Sequence, residues 1–378
     1  MTAEGAIEFE ALEAQAASLM RLFVDAGYER VAPSFIQPAS IFLDRIGETL
    51  RARTYVFTDP NGEELCLRPD LTIPVARVFL ERPGAGPVAK FCYNGPAFRI
   101  QEGKPDPLRP REFRQAGIEH FGPRGQDADL EVLSLTIDAV RRGGARSFTV
   151  KAGHVGIFSA LLNGLSIPPR WRERLARAFW RPHAFARELA TLSRSEAHRV
   201  LPLSAAALSP DGLLDHLEAS GTPFIGLRSP SEIVKRLVDK AADASEPPIP
   251  RETIELIEDY LHISGELPAA LRAIEVLFKK AGLRVPEAFG EAQALFEALK
   301  ALAETSSIVF AADFGRHFEY YTGMVFQIEV EGAGIAGHIA GGGRYDGLIA
   351  ALSGGARDVP AVGAAVHTER LLAAASRR

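Results

Sequence analysis

The stretch that most constrains this chain is Phe314–Val330, FGRHFEYYTGMVFQIEV. A polar, aromatic head from Arg316 to Tyr321 meets a Thr-Gly pair, after which Val325, Phe326 and Ile328 alternate as a strand. AGGGRYDGL follows at 340–348, and its three consecutive glycines suit a tight turn whose backbone approaches a ligand closely, since no Cβ intervenes. Arg316, Tyr320, Tyr321 and Arg344 are therefore expected around one pocket for a small ligand with a carboxylate and a planar group. Guanidinium forks match carboxylates and phosphates, and tyrosine offers a flat apolar face with a polar tip. Taken alone, these residues fit a buried strand and tight turn without any ligand equally well.

The rest of the chain supplies context in order. Ile7 to Tyr28 reads as an amphipathic helix with Phe9, Leu12, Ala16, Leu19 and Phe23 on one face, ended by Gly27. TYVFTD and EELCLR flank Pro60-Asn61-Gly62, a hairpin signal. Leu71 to Leu80 has helical spacing. VAKFCYNGPAFRI and REFRQAGIEHFG read as two strands joined by the charged, Pro-rich segment Gln101–Pro110, which suits a lid over a ligand. Asp127 or Asp129 can cap the next helix, which is expected to end at Gly143-Gly144. SFTVKAG is a further strand, and the pattern from Ile157 to Leu302 is almost wholly helical before strands resume at Ser307–Phe310. Strands in one antiparallel set, interrupted by helices, predict an α+β fold. The expected organisation is a core domain of residues 1–156 and 303–378 with a helical inserted region at 157–302.

Several classes are excluded by pattern. No G-x-G-x-x-G opens a helix after a strand and no G-x-x-x-x-G-K-[ST] occurs, so Rossmann and P-loop sites are unsupported. Nine histidines lack metal-ligand spacing, so no metal is expected. No G-x-S-x-G elbow is present. A net charge of −5 without a basic, aromatic-interleaved stretch argues against a nucleic-acid-binding module. No apolar run spans a membrane, and the acidic start MTAEGAIEFE does not read as a signal peptide or anchor. Cys66 and Cys92, in apolar strand-like settings, read as buried reduced thiols, and the expected compartment is the cytoplasm.

The pair RHFEYYTG and GGGRYDGL resembles the two histidine-specific signatures of histidyl-tRNA synthetases, R-G-L-D-Y-Y and G-G-G-R-Y-D. LRPDLT (67–72) resembles that family's L-R-P-E-G-T. GPAFRI (95–100) and REFRQAGIE (111–119) resemble the halves of class II motif 2, PAVGAAVHTERL (360–371) resembles motif 3, and the leading helix with GYERVAP resembles motif 1, which builds the family's dimer interface. The resemblance implies a class II synthetase-like antiparallel sheet flanked by helices. Carried over by motif, the histidine-binding set is Asp70, Leu71, Thr72, Arg99, Gln115, Glu119, Arg316, Tyr320 and Tyr321. A free amino acid needs an anion for its ammonium (Asp70 or Glu119) and a cation for its carboxylate (Arg99 or Arg316), each charge-assisted bond contributing about 1.5–3 kcal/mol.

Departures from the synthetase pattern shift the expected function. His317 and Glu319 stand where the first signature has glycine and aspartate, and Gln101 stands where motif 2 has glutamate. His367 replaces the motif 3 glycine that leaves room beside the nucleotide, although Arg99, Arg111 and Arg370 persist. After Arg370 only a short Ala-rich tail follows, where a synthetase has an anticodon-binding domain. A histidyl-synthetase core of this length resembles the regulatory subunits of ATP phosphoribosyltransferase. The resemblance implies a subunit with no catalytic residues and no cofactor, dimeric and hetero-oligomeric with a short catalytic subunit, sensing L-histidine as effector in the first step of histidine biosynthesis. The alternative it leaves is a truncated ligase forming histidyl-adenylate from histidine and ATP.

Overall fold

The computed structural model describes residues 6–43, 52–82, 86–101, 110–194, 212, 230–302, 307–314, 320–330 and 337–376. It forms two compact units, Met1–Gly164 with Asp259–Arg378, and Leu165–Glu258. The region expected as a helical insertion thus contains the second unit together with helices and a short strand of the first.

The first unit is built on two long strands, β5 (Ala89–Phe98) and β6 (Glu112–Phe121), paired antiparallel over ten residues. To β6 are added, in spatial order, β12 (Ala361–His367), β11 (Ala340–Arg344), β10 (Met324–Glu329), β7 (Thr149–His154), β9 (Ser307–Ala311) and β8 (Ser264–Glu266), while β1 (Glu29–Arg30) closes the other edge. This nine-stranded sheet is antiparallel except at β1–β5 and β7–β9, which are parallel, so the expected wholly antiparallel set has two exceptions. A second sheet of β2 (Ile36–Pro38), β4 (Glu64–Leu67) and β3 (Val56–Thr58) contains the predicted Asn-Gly hairpin. There the Asp59 carboxylate accepts the backbone N–H groups of Asn61 (2.9 Å) and Glu63 (2.8 Å), and Gly62 takes a φ of 85°. An aspartate opening such a turn satisfies backbone donors that no strand partner reaches.

Helices pack against the large sheet. α1 (Ala6–Asp25) buries Leu12, Ala16, Leu19 and Phe23, and ends at Gly27, whose φ is 87°. Phe9, predicted on the same apolar face, is instead exposed, with the Arg114 guanidinium 5.6 Å from its ring centre. After the short α2 (Ser40–Leu43) comes α3 (Thr72–Glu81), which buries Ile73, Val75, Ala76 and Phe79. α4 (Gln126–Arg142) starts at Gly125 without a side-chain cap, so neither Asp127 nor Asp129 plays the predicted capping role. Asp129 is taken by Arg344 instead. Beyond α5 (Val155–Gly164), the second unit holds α6 (Pro169–Ala178), α7 (Pro182–Leu192), α8 (Pro230–Ser245) and most of α9 (Arg251–Leu261). Three of these helices open on proline, which has no N–H to leave unpaired and a φ already helical. Asp243 ties α6 to α8, accepting from Arg170 (2.5 Å), Trp171 (2.6 Å) and Arg174. The chain then returns to the first unit with α10 (Leu267–Lys280) and α11 (Glu287–Leu302), and later α12 (Leu348–Leu352) and α13 (Thr368–Ser376).

Among the described residues, no helix is long and apolar enough to cross a membrane. Both cysteines are buried and unpaired.

Candidate functional site

The face of the large sheet that carries Glu119, on which α3 also packs through Phe79, is hollowed where small residues line up across its middle strands. Register places Gly117 of β6 opposite Ala365 of β12, which faces Gly341 of β11, and Glu119 opposite Gly363, which faces Gly343. The three glycines of AGGGRY are thus the interior of strand β11, not the turn expected from the sequence. Their lack of a Cβ serves close packing: at Gly342 a Cβ would stand 2.2 Å from the Gly363 carbonyl oxygen, and at Gly343 2.4 Å from that of Met324.

The hollow is a cavity of about 380 Å³, within the size range of small-molecule sites. Of the predicted residues, Asp70, Thr72, Arg99, Gln115, Tyr320 and Tyr321 line it. Leu71 is in the apolar core instead, packed beside α3. Glu119 is fully buried below the wall, and Arg316 lies outside the described residues. Residues 102–109 of the expected lid lie outside them as well. Arg344, expected at the pocket, is turned away. Its guanidinium donates to Asp129 (2.8 Å) and Asp346 (3.0 Å) and to the carbonyls of Pro123 and Gly125, holding the start of α4.

At one end, Asp70 stands just ahead of α3 with one oxygen, Oδ2, buried and without a hydrogen-bond partner among the described residues. Burial pushes its carboxyl up from the usual range, and Arg99 pulls it back. Arg99 donates from Nε to the Pro69 carbonyl at 2.8 Å and lies over the Phe113 ring. Burial pushes this guanidinium down to about 10, against the pull of Asp70 and with Arg53 and Arg370 repelling it. Tyr320 and Tyr321 pack as a tilted pair with centroids 4.8 Å apart, and Tyr320 meets Tyr345 edge-on at 5.7 Å. Tyr345 donates its phenol proton to Glu119 Oε2, and Tyr93 donates to Oε1 at 3.1 Å. Burial pushes Glu119 up to about 8, opposed by these hydroxyls and reinforced by Asp70.

The far end is aromatic and cationic. His367, opposite Gln115 in the ladder, meets Phe113 at 5.4 Å and His338 edge-on at 5.3 Å. Burial holds its imidazole well below the usual pKa, with His338, Arg370 and Arg99 pushing the same way, so the ring is neutral. Its Nδ1 and the Oε1 of Gln115 are buried without a partner among the described residues. Arg370 donates to the His338 carbonyl at 2.9 Å, and Arg53 completes the wall. Sequence reasoning did not select Tyr345, Phe113, His338 or Arg53. Tyr345 and Phe113 stood inside quoted motifs, whereas His338 and Arg53 carry no local signal and are placed by register and loop closure.

A pocket on one face of a mainly antiparallel sheet flanked by helices is the architecture of a class II aminoacyl-tRNA synthetase core. The family model for histidyl-tRNA synthetase matches residues 6–223 and 230–371. A protein from Mesorhizobium japonicum named ATP phosphoribosyltransferase regulatory subunit is 36% identical over 94% of this chain and 96% of its own. Relatives of the same name from Brucella anthropi (32% identical, 91% and 92% covered) and Allorhizobium ampelinum (35%, 96% and 98%) agree. In fold, the chain is similar to a Bacillus halodurans protein described as an ATP phosphoribosyltransferase regulatory subunit/histidyl-tRNA synthetase (TM-score 0.68, 22% identity, 99% and 81% covered). It is also similar to the histidyl-tRNA synthetase of Nostoc (TM-score 0.60, 17% identity, 97% and 71% covered). The chain belongs to the histidyl-tRNA synthetase family, and within it to the ATP phosphoribosyltransferase regulatory subunits.

Proposed function

We propose that this chain is the non-catalytic partner of a short-form ATP phosphoribosyltransferase catalytic subunit in the cytoplasm, activating it and transmitting feedback inhibition by L-histidine bound in the cavity. The observation that carries this reading is the asymmetry of the site. Its amino-acid end keeps a buried carboxylate with an unused oxygen, a guanidinium and a cluster of phenols, whereas its far end is crossed by His367 packed on Phe113 and His338. In the proposed complex Asp70 takes the ammonium, Arg99 or Arg316 the carboxylate, and Tyr345 with Glu119 behind it reads an imidazole nitrogen. A pocket built to bond both nitrogens rejects apolar analogues strongly. Regulation further requires that histidine prefer one arrangement of the assembly, with couplings typically about 1–3 kcal/mol. Self-association is assigned to α1 and β1, the motif 1-like elements. The helical region, taken as 157–302, is proposed as an insertion in the core.

The wall arginines Arg53, Arg99 and Arg370, of which Arg99 and Arg370 persist from the synthetase pattern, favour the second reading, a ligase that activates histidine with ATP. Histidine-dependent ATP–pyrophosphate exchange separates the two: the regulatory subunit shows none, and robust exchange at enzyme-like rates promotes the ligase. In the same preparation, light scattering should give at least a dimer alone and a larger complex with the catalytic subunit, whose activity rises on mixing and falls with histidine. A monomer that ignores the catalytic subunit contradicts the proposal.

A further inference from the structure

Asp70 and Arg99, an acid and a guanidinium of the cavity wall, hang on one short segment of main chain. Phe98 donates its N–H to the Arg68 carbonyl at 3.0 Å, Arg99 Nε donates to the Pro69 carbonyl at 2.8 Å, and Asp70 follows directly. The segment is anchored by the side chain of Arg68, just after β4, which is only 2% exposed. Its Nε donates to the Pro96 carbonyl of β5 at 2.8 Å, and its Nη1 to the Pro33 carbonyl ahead of β2 at 2.5 Å. The guanidinium lies 4.5 Å from the centre of the Phe35 ring, and the Arg68 N–H donates to the Phe35 carbonyl at 2.9 Å. Gly95 makes the room, because a Cβ there would stand 2.6 Å from Nη2. Gly95 pairs with Gln115, so the guanidinium sits on the cavity face of β5, behind the wall. A rigid planar fork that joins two carbonyls fixes both at once, which a single ammonium does not.

We propose that Arg68 is a positioning residue: it sets the separation of Asp70 from Arg99, and through it the preference of the pocket for a ligand bearing an ammonium and a carboxylate on one carbon. This rests on the histidine reading above, with the carboxylate at Arg99. The two charges of such a ligand lie at a fixed distance, so both bonds form only where the acid and the guanidinium are held at the matching distance. A shift of either group stretches one bond while the other is kept. A ligand with one of the two charges follows the shifted group and loses little.

The test is calorimetry on the full chain with L-histidine, with histamine, which lacks the carboxylate, and with imidazole-4-propionate, which lacks the ammonium. In the wild type each missing charge should weaken binding about ten- to hundredfold. Arg68→Lys keeps the charge but not the fork, and Gly95→Ala keeps Arg68 but crowds its Nη2. Both variants should shrink the two preferences roughly fivefold or more, through loss of L-histidine affinity alone, whereas a general loss of stability weakens all three ligands alike. Wild-type preferences in both variants overturn the proposal and leave the histidine reading standing. Wild-type preferences in Arg68→Lys alone show that charge suffices and overturn it as well. A wild type that does not bind L-histidine, or binds the three ligands equally, overturns the histidine reading and the proposal with it. Should Arg68→Lys not fold, Gly95→Ala decides, since the nearest atom its methyl meets is the tip of a side chain.

Discussion

Replacing Gly363 with alanine should damage the pocket from beneath. The new methyl would meet Glu119 Oε2 at 1.6 Å, its Cδ at 2.6 Å and the Ile118 carbonyl oxygen at 2.8 Å. The carbonyl belongs to the β6 ladder and does not yield, so Glu119 must move. Its oxygens are held by Tyr93 and Tyr345, and displacement forfeits those two hydrogen bonds, at about 1 kcal/mol each. Residual crowding in a packed interior adds about 1–3 kcal/mol, so the expected loss is about 3–5 kcal/mol in all. Gly347→Ala is the control, because a Cβ at Gly347 meets nothing within 4 Å and the backbone there has a φ of −81°. Urea unfolding followed by near-ultraviolet circular dichroism should move the midpoint of Gly363→Ala down by roughly 1 M and leave Gly347→Ala unchanged. Histidine affinity should fall at least tenfold in the first variant, because Tyr345 loses its anchor. If Gly363→Ala matches the control in both measurements, the close approach of β12 to Glu119 does not support the site.

Three further outcomes follow from the same geometry. Asp70→Asn and Glu119→Gln should each weaken histidine binding by about 1–3 kcal/mol while leaving assembly intact; if affinity and the inhibition curve of the complex are unchanged in both, feedback enters through the catalytic subunit. The folded-state pKa of Glu119, about 8, lies above its ordinary value of 4.5, so its contribution to stability is present below 4.5 and lost as pH rises through 8. The stability of Glu119→Gln relative to wild type should accordingly grow from pH 5 to pH 8, and a flat difference across that range contradicts the assignment. Arg344→Met should cost about 3–5 kcal/mol by leaving Asp129 buried without its partner, visible as a lower urea midpoint, whereas an unchanged midpoint would show the pair to be dispensable.

Local pattern exposed much of this architecture. The hairpin at Asp59–Glu63, the β5–β6 pair and the helix after Leu71 follow from turn chemistry and periodicity, which act over a few residues. The cavity residues Asp70, Arg99, Gln115 and the two tyrosines were legible through motifs, yet their neighbours were not. His338 reaches the site because β6, β12 and the approach to β11 lie side by side, and such pairing between segments more than two hundred residues apart leaves no mark on either segment. Misreadings have a common physical source. A run of glycines permits both a turn and a close-packed strand, and only the sheet decides. Asp129 has the chemistry of a cap, but a buried arginine competes for it. Phe9 fits the helical stripe but lies beyond the edge of the surface that α1 covers.

The ladder between β6 and β12 carries a last consequence, for chain length. Gly363 faces Glu119 and His367 faces Gln115, four positions apart on the same face, a separation of roughly 14 Å along a strand. β12 is thus a ruler with two marks, one making room for the buried acid and the other closing the opposite end. Loss or gain of one residue between the marks would turn one of them to the opposite face, since side chains alternate strictly along a strand. Only changes in pairs keep both toward the cavity. An insertion at this place would reshape the cavity without substituting any residue that lines it.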